Sequence, residues 1–300
     1  FLVLTLLIPI FLTQKYHEDF GYYHLPYALS FIEEKIVFGF ANIDKPFVYN
    51  SIWLNLYPVF FYEDKNFDFL TLPSFILFIS FIIFSLQHIL NLKNIKISDY
   101  YLIVLLFYFI LKFTRISEFG VDIPSLIIFV LVIYYLIKFI ENNFELVKKN
   151  YFYLNFIFSV FAILIKLSVI PIIFLTVILY FKNFRILKFY IFNTRFLFIY
   201  LFILIFFVQQ FIYTGCFLFP SKLTCVNVSW FNNDYLNLSK QLELINKSYS
   251  TARNIYSPSE YLSNYNWFPF WLKRNFLEIL EHLGTIILPV LFFTFFLKKK

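Results

Sequence analysis

The sequence predicts an all-α polytopic membrane protein, a bundle of about eight transmembrane helices. Three observations predict it. Hydrophobic residues make up 61% of the 300 and charged residues 14%, and the mean hydropathy is +0.74. Apolar runs of near-bilayer length recur along the chain, and the loops between them alternate in charge. Soluble domains are nearer half apolar and a quarter charged, so lipid must be the solvent for most of this surface. Five glycines and eleven prolines leave little room for flexible linkers. With no internal repeat visible, one transmembrane domain over 1–300 is expected. The aromatic share of 25%, mostly Phe, reads first as the codon bias of an AT-rich genome.

The run Phe1 to Leu12 is too short to span alone, since a span needs roughly 20 residues. The sequence contains no Met even at position 1, so this run reads as the truncated end of a longer first helix. Further apolar runs lie at about 69–90, 99–113, 124–140, 151–165, 167–181, 196–213 and 283–297. Lys93 and Lys96, Lys148 and Lys149, Lys182 to Arg195, and Lys298 to Lys300 define one basic class of connection. Short basic loops stay cytoplasmic. The acidic or mixed segments 13–68, 114–123 and 214–282 then lie outside, which in the inner membrane of a bacterium means the periplasm.

Parity holds only if 151–181 crosses twice, with a tight hairpin at Lys166, Ser168 and Pro171. A single helix there would set Lys149 and Arg185 on opposite sides. The short segment 47–62 carries Asn50, Asn55 and Pro58. Counting it as a span would invert every later loop, so it reads as a helix lying in or dipping into the outer interface. Lys166 either snorkels at the outer boundary or faces the bundle interior as a functional cation.

The first outer loop is the most informative stretch. Tyr22, Leu25, Leu29, Ile32 and Ile36 form one stripe at helical spacing, while Tyr27, Ser30 and Glu34 point the other way. That pattern predicts an amphipathic helix along the membrane surface. Just before it stand Glu18 and Asp19, with His24 about one turn on. Adjacent carboxylates near low dielectric can act as a general base or hold a divalent cation. The plainer reading is that such charges mark the water boundary and the Tyr-His cluster suits the interface belt.

An acidic residue at the outer end of a first helix, two interfacial helices and then a bundle of spans resembles the GT-C glycosyltransferases. These include protein mannosyltransferases and aminoarabinose transferases. More closely, D-F-G-Y-Y-H-L-P at 19–26, G-F-A-N at 39–42, N-S-I-W at 50–53 and G-C-F-L-F-P-S at 215–221 resemble an uncharacterised family of bacterial multi-pass membrane proteins. The GT-C resemblance implies an Asp in the first outer loop acting as base toward the acceptor; by position this is Asp19. It also implies a sugar donor on a polyprenyl phosphate or pyrophosphate, hence a cell-envelope glycan pathway.

Other residues offer supporting chemistry. Arg115 reads either as a clamp on a lipid phosphate, since guanidinium pairs bidentately with phosphate oxygens, or as an ordinary interface anchor. Asp122 before Ile123-Pro124 reads as an N-cap. In 214–282, Arg253, Lys273 and Arg274 suit a lipid or glycan phosphate. Tyr249, Tyr256, Trp267 and Trp271 suit sugar stacking, the two tryptophans equally a membrane belt. Cys216 and Cys225, the only cysteines, are placed to form a disulfide in an oxidising periplasm, or else remain thiols; without nearby His they do not suggest zinc. No Gly-rich phosphate loop is present. The net charge of +7 sits largely in the basic loops and reports orientation and contact with anionic lipid, not nucleic acid.

Two rivals stand beside the transferase. A polysaccharide polymerase or ligase would use Arg253 or Arg274 on the pyrophosphate. A lipid-linked glycan flippase would need polar groups at the bilayer midplane and broken helices, whereas the spans look nearly free of charge except at Lys166.

Overall fold

A computed structural model describes residues 5, 8–9, 19–33, 36–60, 70–92, 95–112, 118–142, 149–182 and 194–284. Among them the chain is helical, with no strand beyond isolated one-residue bridges. The helices are α1 (Leu25–Glu33), α2 (Leu72–Leu90), α3 (Ile97–Leu111), α4 (Asp122–Glu141), α5 (Lys149–Ile165), α6 (Ile172–Lys182), α7 (Leu197–Thr214), α8 (Tyr235–Asn246), α9 (Pro258–Leu262) and α10 (Phe268–His282). The runs expected at 1–12 and 283–297 lie mostly outside the described residues.

Three helices, α2, α4 and α7, are long and apolar enough to cross a membrane. This is a membrane protein. Of the apolar window, 67% is buried in α4 but only 39% in α2 and 33% in α7. The middle helix is therefore enclosed by its neighbours, and the outer two keep a side for lipid. α2, α3 and α4 share one aromatic-aliphatic core that includes Phe78, Phe81, Leu102, Leu105, Ile127 and Val130.

The stretch 151–181 does turn back on itself. α5 stops at Ile165, Lys166 is extended (φ −146°, ψ 109°), and a 3-10 turn leads into α6. The Ser159 and Thr176 hydroxyls then meet at 2.6 Å, Thr176 donates to Asn155 Oδ1 (3.0 Å), and Asn155 Nδ2 donates to the Val132 carbonyl (2.8 Å). These buried polar groups satisfy one another, as an apolar interior requires, and bind α4, α5 and α6 together.

Segment 47–60 departs from the expected interfacial helix. It forms 3-10 turns at Lys45–Val48 and Leu54–Phe60 around an irregular stretch. Asn50 Nδ2 donates to the Phe206 carbonyl of α7 (2.9 Å), and Tyr27 donates to Asn50 Oδ1 (3.0 Å). Ser51 Oγ donates to the Ile165 carbonyl (2.7 Å). Phe206 lies two turns before the end of α7, about 12 Å along its axis, so the segment enters the bundle. Non-helical backbone is tolerated at such depth only where protein satisfies it, and Asn50 does that here. Asn50→Ala is expected to lower stability by about 1–3 kcal/mol, the cost of leaving a buried partner unpaired. A thermal transition in detergent matching wild type would refute it.

α1 presents different faces to the protein and away from it. Tyr27 and Ala28 are fully buried, and His24 just before the helix is nearly so, whereas Tyr22, Ile32 and Ile36 of the apolar stripe are exposed. The ends of the apolar stripe face outward, Leu25 and Leu29 at its middle pack against the core, and the Tyr27 side is buried in the protein.

Contacts sort the helix ends into two groups. At one end gather the 36–60 segment, the 118–121 turn, the Lys166 hairpin and the residues after α7. Gly39 N donates to the Ile212 carbonyl (2.9 Å), and Lys112 pairs with Glu281. At the other end lie His88, Asp99, Lys138 and Glu141. The described parts of the three segments read as outer loops thus share one end of the molecule.

Candidate functional site

The site is built at the Asp122 end from three segments distant in sequence. Asp19 opens a π-helical turn, Phe20–His24, that leads into α1. This turn sets Tyr23 against His24 (ring centroids 4.2 Å) and Tyr49 (6.2 Å). His24 packs on Phe119 at 5.8 Å, and Phe20 packs on the same ring at 5.3 Å. Tyr57 fixes the 118–121 turn from below. Its hydroxyl donates to the Gly120 carbonyl (3.1 Å) and accepts from Trp53 Nε1 (3.1 Å).

Gly120 lets this turn close on the first loop. It has φ +154°, and an added Cβ would stand 3.1 Å from His24 Cε1. An L side chain would be strained there and would press on the imidazole. Gly120→Ala is expected to cost about 1–3 kcal/mol, visible as a lowered thermal transition. An unchanged transition would show that the turn does not depend on glycine.

Burial raises the Tyr23 phenol well above its ordinary pKa, and the Asp19 and Asp122 carboxylates and Tyr49 add to the shift. Burial and then Asp19 raise Tyr49 as well, and burial pushes Tyr57 up to about 12. All three phenols therefore stay protonated at physiological pH and remain hydrogen-bond donors. The Asp19 and Asp122 carboxylates thus both lie near enough to the Tyr23 phenol to raise it. Asp122 also accepts from Lys166 Nζ at 2.6 Å.

That pairing corrects the reading of Asp122 as a cap. Val121 occupies the cap position with no side-chain cap bond, and Asp122 begins α4 with its carboxylate turned to Lys166. Lys166, at the hairpin turn and partly exposed, belongs to this cluster. Glu18 and Arg115 lie outside the described residues. Arg253, in the turn before Tyr256, and Arg274, on α10, are both exposed. Neither is among the charges that act on Tyr23 or Tyr49. Among the described residues no three His, Cys, Asp or Glu side chains gather in a way that could hold a metal ion. Cys216 and Cys225 are joined by a disulfide, S–S 2.04 Å.

Beside the cluster lies a polar network that the sequence did not reveal. Gln209 Nε2 donates to the Tyr27 hydroxyl (3.1 Å) and to Asn55 Oδ1 (3.2 Å), and Asn55 Nδ2 returns a bond to Gln209 Oε1 (2.7 Å). At the opposite end, buried Asp99 accepts from Lys138 Nζ (2.7 Å) and the Lys96 amide (2.7 Å), with His88 Nε2 also 2.7 Å away. The expectation of nearly charge-free spans is therefore corrected: α3 and α4 carry a buried ion pair. Its sequence signal was faint, because Asp99 stands just inside an apolar run beside basic Lys96.

The whole chain, residues 1–300, matches the model of a family described as Domain of unknown function (DUF8201), and the protein belongs to that family. No curated protein and no solved structure matches it.

Proposed function

We propose that this member of the DUF8201 family is a GT-C-like glycosyltransferase of bacterial cell-envelope glycan biosynthesis, with about eight spans and a polyprenyl-phosphate-linked sugar donor. One observation carries the reading: the Asp19 and Asp122 carboxylates both act on Tyr23, and Asp122 pairs with Lys166, at one end of a lipid-embedded bundle. A base, a protonated phenol and a cation are the groups that such a transfer needs. In this reading Asp19 takes the proton of an acceptor hydroxyl as its oxygen attacks the anomeric carbon. The bond from that carbon to the phosphate oxygen breaks, and the lipid phosphate leaves. Lys166 has three N–H donors, one directed to Asp122, and the others suit the departing phosphate. In this reading the basic loops at the Asp99 end are cytoplasmic and the cluster lies at the periplasmic face.

The test is transfer in proteoliposomes supplied with a panel of polyprenyl-phosphate sugars. A labelled sugar on an acceptor supports the reading. Movement of the intact lipid-linked sugar across the bilayer without bond change would favour the flippase instead. One feature favours that second reading: the irregular 47–60 backbone enters the bundle beside the Tyr27, Asn55 and Gln209 network, as broken segments do in transporters. For a polymerase or ligase centred on 214–282, Arg253→Ala and Arg274→Ala would abolish activity while Asp19→Asn would not.

A further inference from the structure

Helix α10 turns the opposite face outward from that of a water-soluble surface helix. Phe268, Leu272, Phe276 and Leu280 recur every fourth residue, with Ile279 and Leu283 alongside, so they form one stripe. A soluble amphipathic helix lays such a stripe on its core. Here the other side is packed only in part, with Arg274, Leu277 and Glu278 exposed on it. The Phe270 ring sits 6.1 Å from Tyr256 and 5.9 Å from Tyr261, Trp271 meets Trp267 at 6.3 Å, and Glu281 pairs with Lys112. The stripe is left uncovered: Phe268, Phe276, Leu280 and Leu283 are 44–49% exposed.

The Lys112–Glu281 pair sets the level of the helix. Lys112 directly follows the last turn of α3, where Phe107, Ile110 and Leu111 are exposed large hydrophobics on an apolar helix. Lys112 thus stands where α3 leaves lipid, and the C-terminal end of α10, at Glu281, stands beside it. We propose that α10 lies in the plane of the bilayer at the headgroup–acyl boundary, with its stripe sunk into phospholipid chains. It thereby anchors the polar segment 215–267 to that surface. The proposal is independent of the reaction assigned to the Asp19 cluster.

The test uses the full chain in phosphatidylcholine vesicles, with its natural cysteines joined to each other. A single added cysteine carries a polarity-sensitive fluorophore at Phe276→Cys or, on the opposite side, Glu278→Cys. Lipids brominated in the acyl chain are expected to quench the 276 probe several-fold more than the 278 probe, and aqueous iodide the reverse. Leu280→Cys and Arg274→Cys give a second pair should one variant fail to insert. Equal lipid quenching on both sides would overturn the proposal. So would a 276 probe shielded from both lipid and iodide, which would mean that protein covers the stripe.

Discussion

Asp19→Asn is expected to reduce sugar transfer by about 10²–10⁴-fold, the usual contribution of a general base, while leaving insertion and the thermal transition near wild type. The substitution keeps the shape of the side chain and removes only its capacity to take a proton. The residue belongs to a surface turn ahead of α1 and not to a helix core, so the fold has little reason to change. Asp19 acts on both Tyr23 and Tyr49, and Tyr23 also feels Asp122. Asp19 thus carries its charge within reach of two phenols. The comparison needs two readouts, initial transfer rate with a fixed donor and the amount of folded protein extracted in detergent. Transfer at the wild-type rate would remove Asp19 from the mechanism. Transfer lost together with folded protein would assign it a structural role.

The second large effect lies at the other end. Asp99→Ala is expected to destabilise the protein by about 3–5 kcal/mol, because it leaves Lys138 buried without its counter-charge. Asp99 accepts from the Lys138 ammonium at 2.7 Å while almost wholly buried, and His88 touches the same oxygen. Replacing both charges by apolar groups, Asp99→Leu with Lys138→Met, is expected to recover most of the loss, because the desolvation cost vanishes with the pair. The thermal transitions of wild type, Asp99→Leu, Lys138→Met and the double variant give the coupling directly. A double variant no more stable than Asp99→Ala alone would show that the carboxylate matters for something other than Lys138. The clamp joins α3 to α4 and touches α2 through His88, so its loss should loosen the bundle at that end.

Much of the fold was legible because its signals are local. Hydropathy over a window locates an apolar helix without reference to anything distant, and α2, α4 and α7 follow such windows. The hairpin at Lys166 was legible from the parity of charged loops, and the break in α5–α6 falls at that residue. The site was only half legible. Asp19 and His24 stand out as polar groups at the edge of an apolar run. Tyr49, Asp122 and Lys166 join them only through interactions across 26 to 99 positions of sequence. Asp122 looked like a cap because Pro at the third position of a helix start is a local cue, yet its carboxylate found a cation 44 positions away.

The sequence by itself determined that lipid is the main solvent and where the apolar helices run. The tertiary structure decided which way their faces turn. In water an apolar stripe must point to the core, so pattern alone tells inside from outside. In a bilayer, lipid and protein interior are equally apolar, and the stripe can face either. α1 buries its tyrosine face and α10 leaves its phenylalanines uncovered for that reason. The irregular 47–60 segment could enter the bundle only because Asn50, Ser51 and the α7 carbonyls met there, an agreement between groups that no single stretch of sequence contains.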